Sequence, residues 1–118
     1  MAVTKQSFDD SSDVRTFESG QVQVVTVGAF TFGRYEFRQG WRWSEAVKPI
    51  VNTELCEAHH AGVVLSGTLH VAPSDGPETD IGAGDAYEVQ PGHDAWVVGD
   101  EPVRSIEFMG AAEYAKKA

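Results

Sequence analysis

The chain predicts an all-β protein, an antiparallel barrel or sandwich, and two observations carry that expectation. Short runs of extended, alternating character recur from Gln21 to Met109, and glycine-bearing turns separate the later ones at Gly67, Ser74-Asp75-Gly76, Gly82-Ala83-Gly84, Pro91-Gly92 and Gly99-Asp100. Many short strands with regular turn signals form sandwiches and barrels, because each strand buries one face and must pair along both edges.

The elements follow in order. Residues 1–20 are polar and without a clear period, so they read as a loose arm with one packed element around Phe8 or Phe17. The barrel is expected over 21–110. Val22, Val24 and Val27 belong to its first strand and Ala29 to Arg38 to its second. Phe30 and Phe32 share one face there and Tyr35 and Phe37 the other, so a β-bulge is expected at Gly33. Trp41 to Pro49 lacks alternation and reads as a loop with one helical turn, capped by Ser44 and stopped before Pro49. Strands resume at 62–66, 68–72, 78–81, 85–89, 95–98 and 103–109. Residues 111–118 are rich in helix formers and predict a short C-terminal helix.

Composition narrows the partners. The chain has 118 residues, enough for one domain with its own core, and a formal net charge of −9. An acidic surface repels phosphate backbones and anionic lipid, so neither nucleic acid nor membrane is an expected partner. No apolar run approaches the roughly 20 residues of a membrane span, and residues 1–20 lack the apolar stretch of a secretory signal. The single cysteine, Cys56, fits a reducing compartment, and a cytoplasmic location is expected.

Chemistry concentrates at three positions. Cys56 and His60 stand four residues apart before a strand, and His93 follows the Pro91-Gly92 turn. A small barrel gathers such side chains at its mouth. One thiolate and two imidazoles would suit Zn²⁺ if they converge. The structural alternatives are a buried hydrophobe for Cys56 and a hydrogen bond to its own turn for His93. His59 and His70 are expected at the surface. Cys56 as a nucleophile activated by His60 is a weaker reading, because no third orienting group is evident in the sequence. The aromatic-cationic cluster Trp41-Arg42-Trp43, together with Arg38 and Trp96, supplies candidate ligand-binding residues, with arginine forks suited to a carboxylate.

The segments Val64 to Val71 (VLSGTLHV), Gly82 to Tyr87 (GAGDAY) and Pro91 to Trp96 (PGHDAW) together resemble the two-motif signature of the cupin family over roughly residues 22–109. Small single-domain bacterial cupins are the nearest likeness. The resemblance implies an antiparallel barrel of the double-stranded β-helix, or jelly-roll, type and a homodimer, in which the apolar run Val22–Val27 could be an exchanged strand. Anchored on Gly67, the family's first-motif glutamate falls at His60 and its two histidines at Glu54 and Cys56. Anchored on Gly92, the second-motif histidine falls at Ala95. The resemblance thus adds Glu54 to Cys56, His60 and His93 as a possible ligand, and implies a divalent metal (Zn, Fe, Mn or Ni).

Two functions are expected from these residues. The first is a module that binds a small molecule, a divalent metal or both without turnover, as a sensor would. The second is a metal-dependent enzyme (a dioxygenase, isomerase or lyase) acting on a small organic acid.

Overall fold

Period-two alternation decides which side of each strand is buried. Residues 22 and 24, 33, 35 and 37, 60, 62 and 64, 93, 95 and 97, and 103, 105 and 107 are all buried, and the residues between them are mostly not. The computed structural model describes residues 1–117. In chain order its elements are a 3-10 turn at Phe8–Asp10, β1 (Asp13–Phe17), β2 (Gly20–Val27), β3 (Phe30–Phe37), α1 (Trp43–Ala46), α2 (Lys48–Val51), β4 (His60–Ser66), β5 (Thr68–Pro73), β6 (Thr79–Gly82), β7 (Ala86–Val89), β8 (His93–Val98) and β9 (Val103–Met109). Six strands form one antiparallel sheet in the order β1-β2-β3-β9-β4-β7, and three form a second in the order β6-β5-β8. The sheets face each other across a core that includes Val22, Tyr35, Phe37, Trp41, Trp43, Val64 and Val103. Their edges do not close into one continuous barrel.

Several sequence expectations are corrected. β2 and β3 pair from Gly20↔Phe37 to Val27↔Phe30 without a shift, so there is no bulge at Gly33. Phe30 and Phe32 simply face outward, and Phe30 is 67% exposed. The register shifts lie elsewhere, between β4 and β9. β2 is paired on both edges within the chain, by β1 and β3. The arm contributes β1, whose Phe17 packs beside Phe37, Trp41 and Tyr114 at ring separations of 6.0, 6.4 and 6.0 Å.

The loop from Trp41 holds two helices of one turn each. Ser44 is inside the first one rather than its cap, and Asp94 of β8 does the capping, accepting the Ser44 backbone N–H at 3.1 Å. α1 does stop before Pro49, which sits instead in the first turn of α2, as proline's fixed φ permits. The expected helix after β9 is replaced by successive turns with i→i+3 hydrogen bonds, such as Tyr114 N–H to Ala111 O. Ala115 has φ +52°, which no right-handed helix can continue through.

One turn glycine bears directly on stability. Gly67 has φ +78°, and an added Cβ would lie 2.5 Å from Pro102 O. Gly67→Ala is expected to cost about 2–4 kcal/mol in denaturant unfolding, combining left-handed strain with a backbone clash. Gly99 has φ +80° but open space around it. Gly99→Asn should therefore cost less than about 1 kcal/mol, because asparagine tolerates that conformation. Equal losses at the two sites would refute the assignment of a close approach at Gly67.

Candidate metal centre

Cys56 precedes β4 and would be remote from β8 but for a backbone bridge. Cys56 N–H donates to His93 O at 2.8 Å, and Gly92 N–H donates to Cys56 O at 2.7 Å. This bridge sets Cys56 beside His93, while the inward phase of β4 points His60 at both. One ligand atom from each of the three residues lies within 4.8 Å of the others, and all three residues are buried. Cys56 Sγ and His60 Nε2 are 3.5 Å apart. Two donors bound tetrahedrally to one zinc ion at about 2.3 and 2.0–2.1 Å would stand roughly 3.5 Å apart.

Each histidine is oriented by its other nitrogen. His60 Nδ1 donates to Glu107 Oε1 at 2.7 Å, and His93 Nδ1 donates to the Gln90 carbonyl at 2.8 Å. Both Nε2 atoms are left to serve a metal, the usual carboxylate- or carbonyl-anchored arrangement of ligating histidines. Glu107 in turn accepts from the Tyr87 hydroxyl at 2.6 Å. Burial alone would push the Cys56 thiol up, but hydrogen bonds with His60 and His93 outweigh it and bring it down to about 7. Burial would likewise push His60 down, yet Cys56 and Glu107 hold it up at about 10. Cys56 and Glu107 thus favour a protonated His60, and the two histidines favour the Cys56 thiolate. A cation binding here must displace the proton shared by Cys56 and His60 Nε2, and then meets an anionic thiolate.

Glu107 is the residue that sequence reasoning missed. Its signal was an acid on the inward phase of β9, after Val103 and Ser105, where burial without a partner is costly. Gly62 makes room for it, since a Cβ there would lie 2.9 Å from Glu107 Cγ. Glu107 is also the orienting group that the sequence did not reveal for a Cys56–His60 pair.

The other candidate residues lie apart from the centre. The Glu54 side chain is 92% exposed and paired with Lys48, so it is not at the cluster. Its segment is not a strand that would turn it inward. Arg38 is exposed and pairs with Glu36. Trp96 lies on the outer face of β8, with the Arg42 guanidinium 4.0 Å over one side and the His70 ring stacked at 4.6 Å. Of the ligand-binding candidates, Trp41 and Trp43 reach the interior. Both line a cavity of about 30 Å³ together with His60, His93, Glu107, Tyr87 and Tyr114. That is room for about two waters.

His59 is half-exposed on Glu88. His70 faces outward as expected, but it is held at both nitrogens by Glu78 and Asp80, at 2.6 Å each. Those two bonds raise its pKa above the ordinary 6.5. The raised value belongs to the folded state, so this contribution to stability is complete below about pH 6.5 and is lost as pH rises through the folded pKa. An NMR titration should place the His70 midpoint above 6.5, and in Trp96→Ala it should stay raised because the carboxylates remain. A midpoint at or below 6.5 would show that the two bonds do not form in solution.

No family model matches the sequence, and no characterised protein matches it by sequence. Solved structures do match. An RmlC-like cupin from Shewanella frigidimarina superposes with TM-score 0.60 at 19% identity, covering 93% of this chain and 96% of that one. A polyketide cyclase from Streptomyces resistomycificus gives TM-score 0.61 at 16% identity, over 90% of this chain and 78% of that one. An oxalate decarboxylase from Bacillus subtilis gives 0.62 at 15% identity, over 94% of this chain but 30% of the enzyme.

Proposed function

On the cupin fold that these likenesses show, we propose that the protein binds one divalent metal ion, best Zn²⁺, through Cys56, His60 and His93, and with it a small polar or acidic ligand. The observation that supports this is the convergence of two anchored imidazoles on one thiolate. Thiolate and imidazole donors together favour zinc over manganese, which prefers oxygen. When bound, the ion supplies a positive centre that holds and polarises a coordinated oxygen. The chain's own residues do the rest. Glu107 and Gln90 hold the imidazoles, Trp43 and Tyr87 exclude bulk water, and the small cavity limits the ligand to a few atoms.

In this reading the protein is a binding or sensing module of the cytoplasm, where a lone thiol stays reduced. It works as a homodimer through the outer face of the larger sheet, where Phe30, Leu65 and Phe108 are 67%, 58% and 58% exposed. Sedimentation showing only a 12.8 kDa species at high micromolar concentration would remove the dimer.

The second reading is a metal-dependent enzyme acting on a small organic acid. It is favoured by the cavity along His60 and His93, which leaves a ligand position beside the centre, and by the Tyr87–Glu107–His60 chain, which could relay a proton. Elemental analysis of the purified protein, then turnover of small acids with and without added Zn²⁺, Fe²⁺ or Mn²⁺, separates the two. One equivalent of metal without turnover supports the binding module. Metal-dependent turnover abolished by His60→Ala would establish the enzyme, and failure to bind any of these ions would refute both.

A further inference from the structure

The segment after β9 reaches back over the centre, and one arginine holds it there. Arg15 Nη1 donates to three carbonyls of that segment, Ala111, Ala112 and Tyr114, at 3.0, 3.0 and 2.8 Å. Asp13 grips the guanidinium from behind, accepting from Nε at 3.1 Å and Nη2 at 2.8 Å. The segment is further seated by Ala111, whose methyl occupies the space beside Gly33. A Cβ on Gly33 would lie 2.6 Å from the Ala111 Cβ. The result is the burial of Tyr114, its ring 5.5 Å from the His60 ring and edge-on to Tyr35 at 5.0 Å. Tyr114 lines both the inner cavity and, with Trp43, a second cavity of about 190 Å³ on the Cys56 side.

Three buried polar atoms around this cavity have no hydrogen-bond partner: Tyr35 Oη, Tyr114 Oη and Trp41 Nε1. Buried polar atoms are normally satisfied. All three can donate, and the indole nitrogen can do nothing else. Their common need is an acceptor. A divalent ion held by one thiolate and two neutral imidazoles keeps a single positive charge and an open position for an anion, although the Glu107 carboxylate behind His60 offsets part of that charge.

We propose that Arg15 positions Tyr114 as a hydrogen-bond donor to a small anion, of formate or azide size, bound at the Cys56–His60–His93 centre. The inference rests on the metal-binding reading above. Tyr114 would touch the ligand, whereas Arg15 acts only through Tyr114. A purely structural clamp would also hold the segment, so the two roles must be separated by coupling rather than by stability.

Co²⁺ stands in for Zn²⁺ in the test, because a thiolate-bound Co²⁺ shows a charge-transfer band and its visible bands respond to a fourth ligand. Azide and formate are titrated against the Co²⁺-loaded protein. Tyr114→Phe is expected to keep the thiolate band and to bind azide about tenfold more weakly, the loss of one hydrogen bond to a charged group. Arg15→Lys should show a similar loss, and the double variant should bind no more weakly than Tyr114→Phe alone. Asp13→Asn, a milder change at an exposed site, should shift azide affinity in the same direction by less. Unchanged azide affinity in Tyr114→Phe, or additive losses in the double variant, would overturn the inference while leaving the metal reading intact. Absence of the thiolate band in the unaltered protein would overturn both.

Discussion

Zn²⁺ added to the metal-free protein at about 100-fold above its Kd should stabilise the fold by about 2.7 kcal/mol, because the ion binds the native state only. For a chain of 118 residues that is a rise of roughly 10 °C in Tm. Cys56→Ser should remove most of the gain and leave the metal-free protein folded, since the change is small and conserves shape. His60→Ala should also remove it, but with a lower starting Tm, because Glu107 loses its buried partner. Glu54→Gln should change neither value, as its side chain stands in solvent on Lys48. Scanning calorimetry with and without metal checks all four proteins. A Tm that does not respond to metal would reduce the cluster to a hydrogen-bonded core, and loss of the response in Glu54→Gln would mean that the segment before β4 rearranges around the ion.

Glu107 should be the most sensitive side chain outside the three ligands. Its carboxylate is 7% exposed and bonds both His60 Nδ1 and Tyr87 Oη. Glu107→Ala is expected to cost about 3 kcal/mol of metal-free stability, at the low end for breaking a buried pair, because His60 can shed its proton instead of remaining charged. Metal affinity should fall about 10–100-fold, as it does when a ligating histidine loses its orienting partner. Glu107→Gln should lose less of both, since an amide oxygen still accepts from His60. Urea unfolding and competitive metal titration measure the two effects. Glu107→Ala with wild-type stability and wild-type affinity would remove the carboxylate from any role in the centre.

The fold was legible because it depends on local features. Alternation through Val103, Ser105 and Glu107, or through His93, Ala95 and Val97, is a property of neighbouring residues, and so are the turns at Gly67 and Pro91-Gly92. The short connections left few ways to pair the strands, and the motif order around Gly67 and Gly92 pointed to the same two-sheet arrangement. The local errors had local causes. The apparent phase slip at Gly33 arose because Phe30 and Phe32 are apolar residues on an outer face, and apolar character alone does not say which face is buried. The helix formers after residue 110 make turns instead because Ala111 and Tyr114 are drawn onto the core and Ala115 takes a left-handed backbone.

The sequence by itself determined the alternating strands, their turns, and the presence of Cys56, His60 and His93 as metal-capable side chains on separate segments. Only the tertiary structure decided that these three meet. The Cys56–His93 backbone bridge that joins them spans 37 residues and leaves no periodic trace. The same holds for Glu107, which reaches His60 because β9 lies next to β4 in the sheet, and for Arg15, which meets Tyr114 across almost the whole chain. Glu54 went the other way. Motif spacing matched it to a ligand position, but spacing fixes direction only within a regular strand, and that segment is not one. Side-chain direction within a strand follows from sequence phase, whereas convergence between strands depends on register and packing, which many distant residues set together.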